Sequence, residues 1–420
     1  MKVLVLAVRG LQTAYVGCYG NPWIATPALD ALAAGGVVFD RHFADRADAD
    51  GARLTWRDGR HHPPDSPHRE SSADATADLI EVLKKRGVYT CLIVDDSRPA
   101  EVGLEHNGDE VHRAASFGAV LEAASAALHR LSGRGDWLLW VDLAALLPPW
   151  DTPEEFVAPY FQEEPADDED VEGEEVELEP LTPLRNPPIG RVDAEDDELF
   201  LQLQGSYAGA VSWLDDGIGR LLQRLDVVNA GHEIMVVLTA DSGLALGEHG
   251  YVGPGCPHTH AEATHLPLIL CLPGADEAGR RVAALTQAAD LAPTLADVFD
   301  VELPSAQGCT LLPLVYGEVE ELHPYVSSGA RAGDAVEWCL RTLQWAFMLP
   351  LPSGPPRLYV QPDDRWEATN VVQHHLELVE GLERTLSSFV EASRRPGPLE
   401  PPPLPQTESG DQERHGGSGD

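Results

Sequence analysis

Short apolar runs of strand length recur along the first two thirds of the chain. They are rich in Val, Ile and Leu, and they lie at Val3–Val8, Thr90–Val94, Trp137–Val141, Ile234–Leu238 and Leu266–Leu270. Runs of this kind are typical of strands that are buried on both faces. Between them, in Tyr207–Leu225, apolar residues recur at spacings of three and four, which predicts a helix. Strands alternating with helices predict an α/β fold, a three-layer sandwich in which helices cover both faces of a large, mostly parallel sheet.

The pattern changes near Tyr325. Short alternating segments follow, and then a helical stretch from about Gln373 to Ala392. From Arg394 onward the chain is dominated by Pro, Gly and charged residues, which cannot bury enough apolar surface to fold. We therefore predict a core domain at 1–324, a small C-terminal subdomain at 325–393 and a disordered tail at 394–420.

The negative charge of the chain restricts the classes of ligand and partner that it can bind. The 420-residue chain has a formal net charge of −40, and residues 163–179 alone contain eleven acids and no base. We interpret about 162–198 as an acidic loop inserted in the core domain. A surface of this sign disfavours nucleic acids and sulfated polyanions as ligands, and it favours a basic protein as a partner.

Six cysteines are scattered through the chain without the paired spacing of a disulfide framework: Cys18, Cys91, Cys256, Cys271, Cys309 and Cys339. The first apolar run, Val3–Val8, is too short for a signal peptide and is already assigned to a strand. No stretch approaches the roughly eighteen apolar residues of a membrane span. We therefore expect a cytoplasmic protein that does not enter a membrane.

A colinear series of motifs places the chain in a family. VGCYGNPWIATPALDALAAGGVVFDRHFA at 16–44 and VLTADSGLALGEHG at 237–250 are the strongest, and LYVQPDDRWEATNVV at 358–372 is the last. The series resembles the sulfatase family of the alkaline phosphatase superfamily. The resemblance implies the alkaline phosphatase-like sandwich, with a small antiparallel sheet and one helix at the C-terminal end.

The same stretches lack the residues with which that family performs its chemistry. Hydrolysis of a sulfate or phosphate ester requires a divalent cation held by oxygen ligands, a nucleophile in line with the ester, and an acid for the leaving oxygen. The resemblance implies Asp-Asp after the first strand, a Cys nucleophile, a His facing the sulfate, a His or Asn beside the second metal-binding Asp, and a Lys. At those positions stand Arg9, Gly10, Ala49, Leu147, Ser242 and Pro254.

Two residues of the implied site are retained. Asp241 occupies the position of a metal-binding Asp, and Arg53 that of the Arg near the nucleophile. A carboxylate with only the Ser242 hydroxyl beside it is a poor cage for calcium or magnesium, which take six or more oxygens. Asp241 could instead support the turn after a strand, or pair with Arg53. Arg9 could reach the same place and supply a fixed positive charge where the cation is missing.

One local cluster offers another kind of site. Cys256, His258 and His260 lie within five residues, and Cys and His side chains ligate zinc or copper. The C-x-H-x-H spacing matches no zinc motif, so an ordinary loop is the competing interpretation. His249, within the GEHG motif, is interpreted as a support for its loop.

Two functional hypotheses remain. The first is a sulfatase-like protein that has lost sulfuric ester hydrolysis and serves in binding, regulation or assembly, without a cofactor. Its partner is then a protein of unknown identity, an active sulfatase-like subunit or a basic protein. The second is an active sulfuric or phosphoric ester hydrolase with a rebuilt calcium or magnesium site around Asp241.

Overall fold

The computed structural model describes residues 1–65, 78–98, 107–162, 180–193, 195–227 and 233–405. Its strands are β1 Lys2–Gly10, β2 Val37–Phe43, β3 Tyr89–Asp95, β4 Glu110–Ala114, β5 Trp137–Leu143, β6 Gly190–Arg191, β7 Ile234–Gly243, β8 Ala245–Leu246, β9 Tyr251–Gly253, β10 His265–Leu266, β11 Leu268–Cys271, β12 Arg280–Gln287, β13 Val326–Ala332, β14 Ala335–Arg341, β15 Trp345–Leu351 and β16 Arg357–Val360. Its helices are α1 Pro27–Ala34, α2 Ala49–Asp58, α3 Leu79–Arg86, α4 Phe117–Leu131, α5 Glu154–Val157, α6 Asp197–Val227, α7 Ala261–Thr264, α8 Leu291–Val298, α9 Leu312–Val315 and α10 Leu376–Ser393.

The large sheet has the order β10-β2-β11-β7-β1-β5-β3-β4, and β12 pairs with β2. Its central strands β7, β1, β5 and β3 run parallel, whereas β11 pairs with its neighbours antiparallel. The strands β5 and β7 are buried along their whole length, as their continuous apolar sequences predict. The predicted mostly parallel central sheet is confirmed.

Helices cover both faces of this sheet. Along β1, the even-numbered residues from Leu4 to Val8 pack into one buried cluster with α1, α4 and α6. The odd-numbered residues from Val3 to Ala7 pack into a second cluster with α2, α3 and α8. This division follows from the two-residue period of a strand. The predicted helix at Tyr207–Leu225 is the greater part of α6.

The small subdomain is an antiparallel sheet of order β13-β14-β15-β16, against which α10 packs. Its apolar cluster runs from Tyr325 to Phe389. The sequence predicts a disordered tail from Arg394, and the structure differs for residues 394–405. Leu399 and Leu404 pack against this cluster, and the carbonyl of Pro402 accepts a hydrogen bond from the Tyr325 hydroxyl at 2.9 Å. Residues 406–420 lie outside the described part of the chain.

Part of the predicted acidic loop also contacts the core. Residues 163–179 and 194 lie outside the described residues, but β6 pairs with β9, and the backbone N–H of Leu184 donates to the Ser206 hydroxyl at 2.8 Å. Helix α6 begins at Asp197, within the range that the sequence assigns to the loop. Among the described helices, none has the length and apolar character needed to span a membrane.

Candidate functional site: an arginine and aspartate cluster at the strand ends

Three adjacent parallel strands end at the same edge of the sheet. In register, Ala7 of β1 lies opposite Asp142 of β5 and Thr239 of β7, and the register shifts by a bulge between Val8 and Gly10. Arg9 and Asp241 follow at this edge, which is the usual ligand crevice of such sheets. The topology therefore places Arg9, Asp142 and Asp241 together.

The Asp241 carboxylate is surrounded by donors and positive charge. Its Oδ1 accepts from the backbone N–H of Gly10 at 3.1 Å and from the Ser242 hydroxyl at 3.2 Å. Its Oδ2 lies 3.4 Å from Arg53 Nη1 and 3.5 Å from Arg9 Nε. Asp241 is only 1% exposed. These distances are those of ion pairs, so Asp241 faces two guanidinium groups.

Arg53 is shared between two carboxylates. Its Nη2 lies 2.8 Å from both oxygens of Asp142, and its Nη1 reaches Asp241. Burial by itself would lower the pKa of Arg53, but Asp142 and Asp241 raise it above the ordinary value. Burial raises the pKa of Asp142, and Arg53 and Arg9 oppose that rise. The cluster of Arg9, Arg53, Asp142 and Asp241 thus has two positive and two negative groups.

Asp142 was missed by the sequence analysis. It lies in the WVDL stretch, where it reads as part of a buried strand. The sequence did contain an indication of its importance, because a single acidic residue in an otherwise apolar strand requires a partner when it is buried. The identity of that partner, 89 residues away in sequence, could not be read from the pattern.

Helix α2 positions Arg53. The Asp48 side chain caps the helix by accepting from Gly51 N at 2.8 Å, and Ala49 is the first helical residue. Arg53 follows about one turn later and is 4% exposed, so it points toward the sheet. Ala49 is half-buried and has only a methyl group to present.

Leucines fill the space beside Gly10. A Cβ atom added to Gly10 would lie 3.1 Å from Leu147 Cδ2 and 3.4 Å from Leu244 Cβ. Gly10 also has a φ of +80°, a left-handed conformation that strains an ordinary side chain. A residue-10 carboxylate would therefore meet both strain and Leu147. Pro254, in contrast, is exposed directly after β9.

The sulfatase family model matches residues 118–301 of this chain. The N-acetylglucosamine-6-O-sulfatase of Bacteroides thetaiotaomicron is 35% identical over 120 residues, which cover 28% of this chain and 21% of that protein. Residues 118–301 of this chain therefore form a sulfatase-family domain. Human iduronate 2-sulfatase is 34% identical over 119 residues, which cover 27% of this chain and 20% of that protein. The matched segments thus span about a fifth of the length of these two relatives.

A solved structure agrees with this fold over nearly the whole sulfatase-family chain. The phosphonate monoester hydrolase of Agrobacterium radiobacter superposes with a TM-score of 0.73 at 21% identity, and the match covers 93% of this chain and 96% of that one. At this identity the likeness establishes the alkaline phosphatase-like fold, and it leaves the reaction open.

The structure places the three residues of the other candidate cluster near one another and adds further groups. Cys256 Sγ lies 3.0 Å from His258 Nε2, and the His258 and His260 rings are 5.1 Å apart. Burial raises the pKa of the Cys256 thiol and lowers that of His258 to about 3. Among the described residues of this sulfatase-family protein, the groups able to hold a metal are Cys91, Glu110 and His112, and His249, His260 and Glu262. Neither group contains Asp241.

Proposed function

We propose that this sulfatase-family protein has lost sulfuric ester hydrolysis and uses its scaffold for binding, regulation or assembly. The observation that carries the proposal is the pairing of Asp241 with Arg9 and Arg53 at 3.5 and 3.4 Å. Two fixed guanidinium groups neutralise the carboxylate that would otherwise ligate a divalent cation. A cation placed there would meet two like charges.

The chemistry of the donor set supports the same conclusion. Calcium and magnesium take six or more oxygen ligands, and carboxylates supply most of the charge. Asp142 and Asp241 are the carboxylates of the cluster, and both are engaged by Arg53. Ala49 has no nucleophilic atom, and Leu147 has no proton to transfer. The charge balance of the cluster is complete without an ion.

The partner that we propose is a basic protein or an active sulfatase-family subunit. The net charge of −40 favours a positive surface and repels nucleic acids and sulfated polyanions at moderate salt. A cytoplasmic location belongs to the same proposal. It accords with six cysteines that are all unpaired in the structure.

A second candidate is an active sulfuric or phosphoric ester hydrolase with a rebuilt calcium or magnesium site at Asp241. The observation in its favour is that two buried carboxylates, Asp142 and Asp241, lie at one edge of the sheet. For a metal to bind, Arg53 would have to release both of them. The two candidates therefore differ in whether a divalent cation displaces Arg53.

The experiment measures metal content and ester turnover on the same purified sample. The protein is dialysed against calcium, magnesium, manganese or zinc, its metal is quantified by mass spectrometry, and turnover of p-nitrophenyl sulfate and p-nitrophenyl phosphate is recorded. Asp241→Ala is the variant, and Asp216→Ala, at an exposed ion pair with Arg220, is the matched control.

We expect no ester turnover above the uncatalysed rate in any of the three proteins, and no metal that depends on Asp241. A stoichiometric calcium or magnesium ion together with turnover, both lost in Asp241→Ala and kept in Asp216→Ala, would establish the hydrolase instead.

A further inference from the structure

A histidine cluster lies where the core meets the small subdomain. We define it as His249, His258, His260 and Glu262. The donor atoms of His249, His260 and Glu262 all lie within 4.8 Å of one another. The His249 and His260 rings stack with centroids 3.6 Å apart and an interplanar angle of 11°. Side chains from two separate stretches of the sequence, at His249 and at His260–Glu262, thus lie close together.

Glu262 is the centre of the cluster. Its Oε1 lies 2.7 Å from His249 Nδ1 and 3.6 Å from His258 Nδ1. The first contact is a hydrogen bond, in which a single proton is held between imidazole and carboxylate. The second is not, and His258 Nδ1 is a buried nitrogen without a hydrogen-bond partner among the described residues.

The small subdomain orients His260. Glu367 Oε2 lies 2.9 Å from His260 Nδ1 and accepts a hydrogen bond from it, and Arg341 pairs with the other oxygen of Glu367. His260 Nε2 therefore carries a lone pair, which now accepts from Arg357 Nη1 at 3.1 Å. Histidines that ligate a metal usually donate their other ring N–H to a carboxylate, which sets the tautomer and the orientation of the ring.

We propose that the histidine cluster binds one divalent transition-metal ion of the zinc type, with His249, His260 and Glu262 as ligands and His258 as the adjacent fourth group. Two imidazoles and a carboxylate suit zinc and disfavour calcium and magnesium, which prefer oxygen. The site is separate from Asp241 and does not depend on the proposed loss of hydrolysis.

Binding requires two local changes. The proton that His249 Nδ1 donates to Glu262 moves to Nε2 of the same ring, so that the neutral imidazole keeps one proton and Nδ1 is free for the ion. Arg357 leaves His260 Nε2 and keeps its ion pair with Glu337; its side chain is 27% exposed, so it has room to turn toward solvent. The His249 ring then turns, while the hydrogen bond to Glu367 keeps the His260 ring in place.

The three proposed ligands all belong to the core, and the small subdomain orients one of them. Glu367 and Arg357 belong to the subdomain, whereas His249 and Glu262 belong to the core, and His260 connects them. An ion bound only by the folded protein raises its stability in proportion to the logarithm of the ion concentration. Zinc binding should therefore raise the unfolding temperature of the whole chain.

The test is isothermal titration of the chelator-treated full chain with ZnCl₂, with MgCl₂ and CaCl₂ as comparison ions. We expect one equivalent of Zn²⁺ and a zinc-dependent rise in Tm. His249→Gln and Glu262→Gln should each weaken binding by at least about 100-fold. Magnesium and calcium should not compete.

Two control variants locate the ion. His112→Gln disrupts the group formed by Cys91, Glu110 and His112, and His374→Gln removes an exposed histidine. Both should bind zinc as the wild type does. Arg357→Gln should bind zinc about tenfold more tightly, because a like charge and a competitor for His260 Nε2 are removed. This gain remains measurable if the ligand variants fail to fold.

Three outcomes would overturn the proposal. They are an absence of stoichiometric Zn²⁺ binding, zinc binding that survives both His249→Gln and Glu262→Gln, and zinc binding that is lost in His112→Gln. A weaker affinity in Arg357→Gln would likewise contradict the geometry, since it would make Arg357 a support of the site.

Discussion

Replacing Asp241 by Asn tests the charge balance of the arginine and aspartate cluster. The amide keeps the size of the side chain and an oxygen that accepts from Gly10 N and Ser242 Oγ. It removes the negative charge that faces Arg9 and Arg53. Because these groups are buried, the variant leaves one guanidinium without a compensating carboxylate.

The magnitude follows from the two contacts. A pair of unit charges 3.5 Å apart interacts with about 5 kcal/mol at an effective dielectric constant of 20. The desolvation cost of Asp241 disappears in the variant and offsets part of this loss. Removing one partner of a buried ion pair costs about 3 to 5 kcal/mol in measured cases, and we expect Asp241→Asn to lower the free energy of unfolding by that amount.

A second substitution separates charge balance from packing. Arg9→Met in the Asp241→Asn background restores neutrality, because Arg53 keeps its bidentate contact with Asp142. The double variant should recover at least about 1 kcal/mol of the loss. Asp216→Asn at the exposed pair with Arg220 is the matched control and should remain within about 0.5 kcal/mol of the wild type.

The assay is urea unfolding followed by tryptophan fluorescence. Trp56 on α2 and Trp140 on β5, two of the nine tryptophans, lie with ring centroids 5.4 Å apart, so part of the emission comes from the elements that carry the cluster. A loss of less than about 1 kcal/mol in Asp241→Asn, or no recovery in the double variant, would refute the reasoning. Stabilisation of the wild type by calcium or magnesium, absent in Asp241→Asn, would point to a metal site instead.

Three further predictions concern pH, a helix contact and the tail. Burial lowers the pKa of His42 to about 4 and that of His258 to about 3, so the unfolded chain binds more protons below pH 6.5. The free energy of unfolding, measured by urea titration in steps from pH 7 to 4, should therefore fall below pH 6.5 by about 1.4 kcal/mol per pH unit for each histidine, and an unchanged value would contradict buried neutral rings. Gly217→Ala places a methyl 2.4 Å from the Phe117 ring and should cost about 1 to 3 kcal/mol of unfolding free energy, whereas Gly118→Ala, with open space, is the control that should not. In Gly381→Ala the added methyl would lie 2.5 Å from Pro405 Cβ, so it should displace the packed tail and speed limited proteolysis after Ser393. Equal cleavage rates in the variant and the wild type would disprove this prediction.

The sequence predicts much of the fold because its signals are local. The buried strands follow from continuous apolar runs of strand length, and α6 follows from apolar residues at spacings of three and four. The tail differs from its sequence-based prediction. Its composition indicates disorder, yet Leu399 and Leu404 pack against apolar residues of α10 and the small sheet. Composition measures what a segment can bury by itself, and it does not measure what a neighbouring surface offers.

In the candidate sites, too, some features can be read from the sequence and others depend on the tertiary structure. The sequence alone shows the residue types at six positions where the resemblance implies Asp, Asp, Cys, His, His or Asn, and Lys: Arg9, Gly10, Ala49, Leu147, Ser242 and Pro254. The interpretation of the Cys256, His258 and His260 stretch was incomplete. His249 and Glu262, which the structure brings beside His260, carry no joint spacing signal in the chain.

The sequence by itself determined the family resemblance, the α/β class and the residue types at the six positions, since residue type and local period are properties of the chain alone. The tertiary structure decided which charges meet. Arg53 meets Asp142 across 89 residues, and His260 meets Glu367 across 107. Such pairs form because parallel strands end at one edge and a subdomain docks on a loop, and the energy of a buried charge depends on its distance to a partner, which no one-dimensional pattern contains.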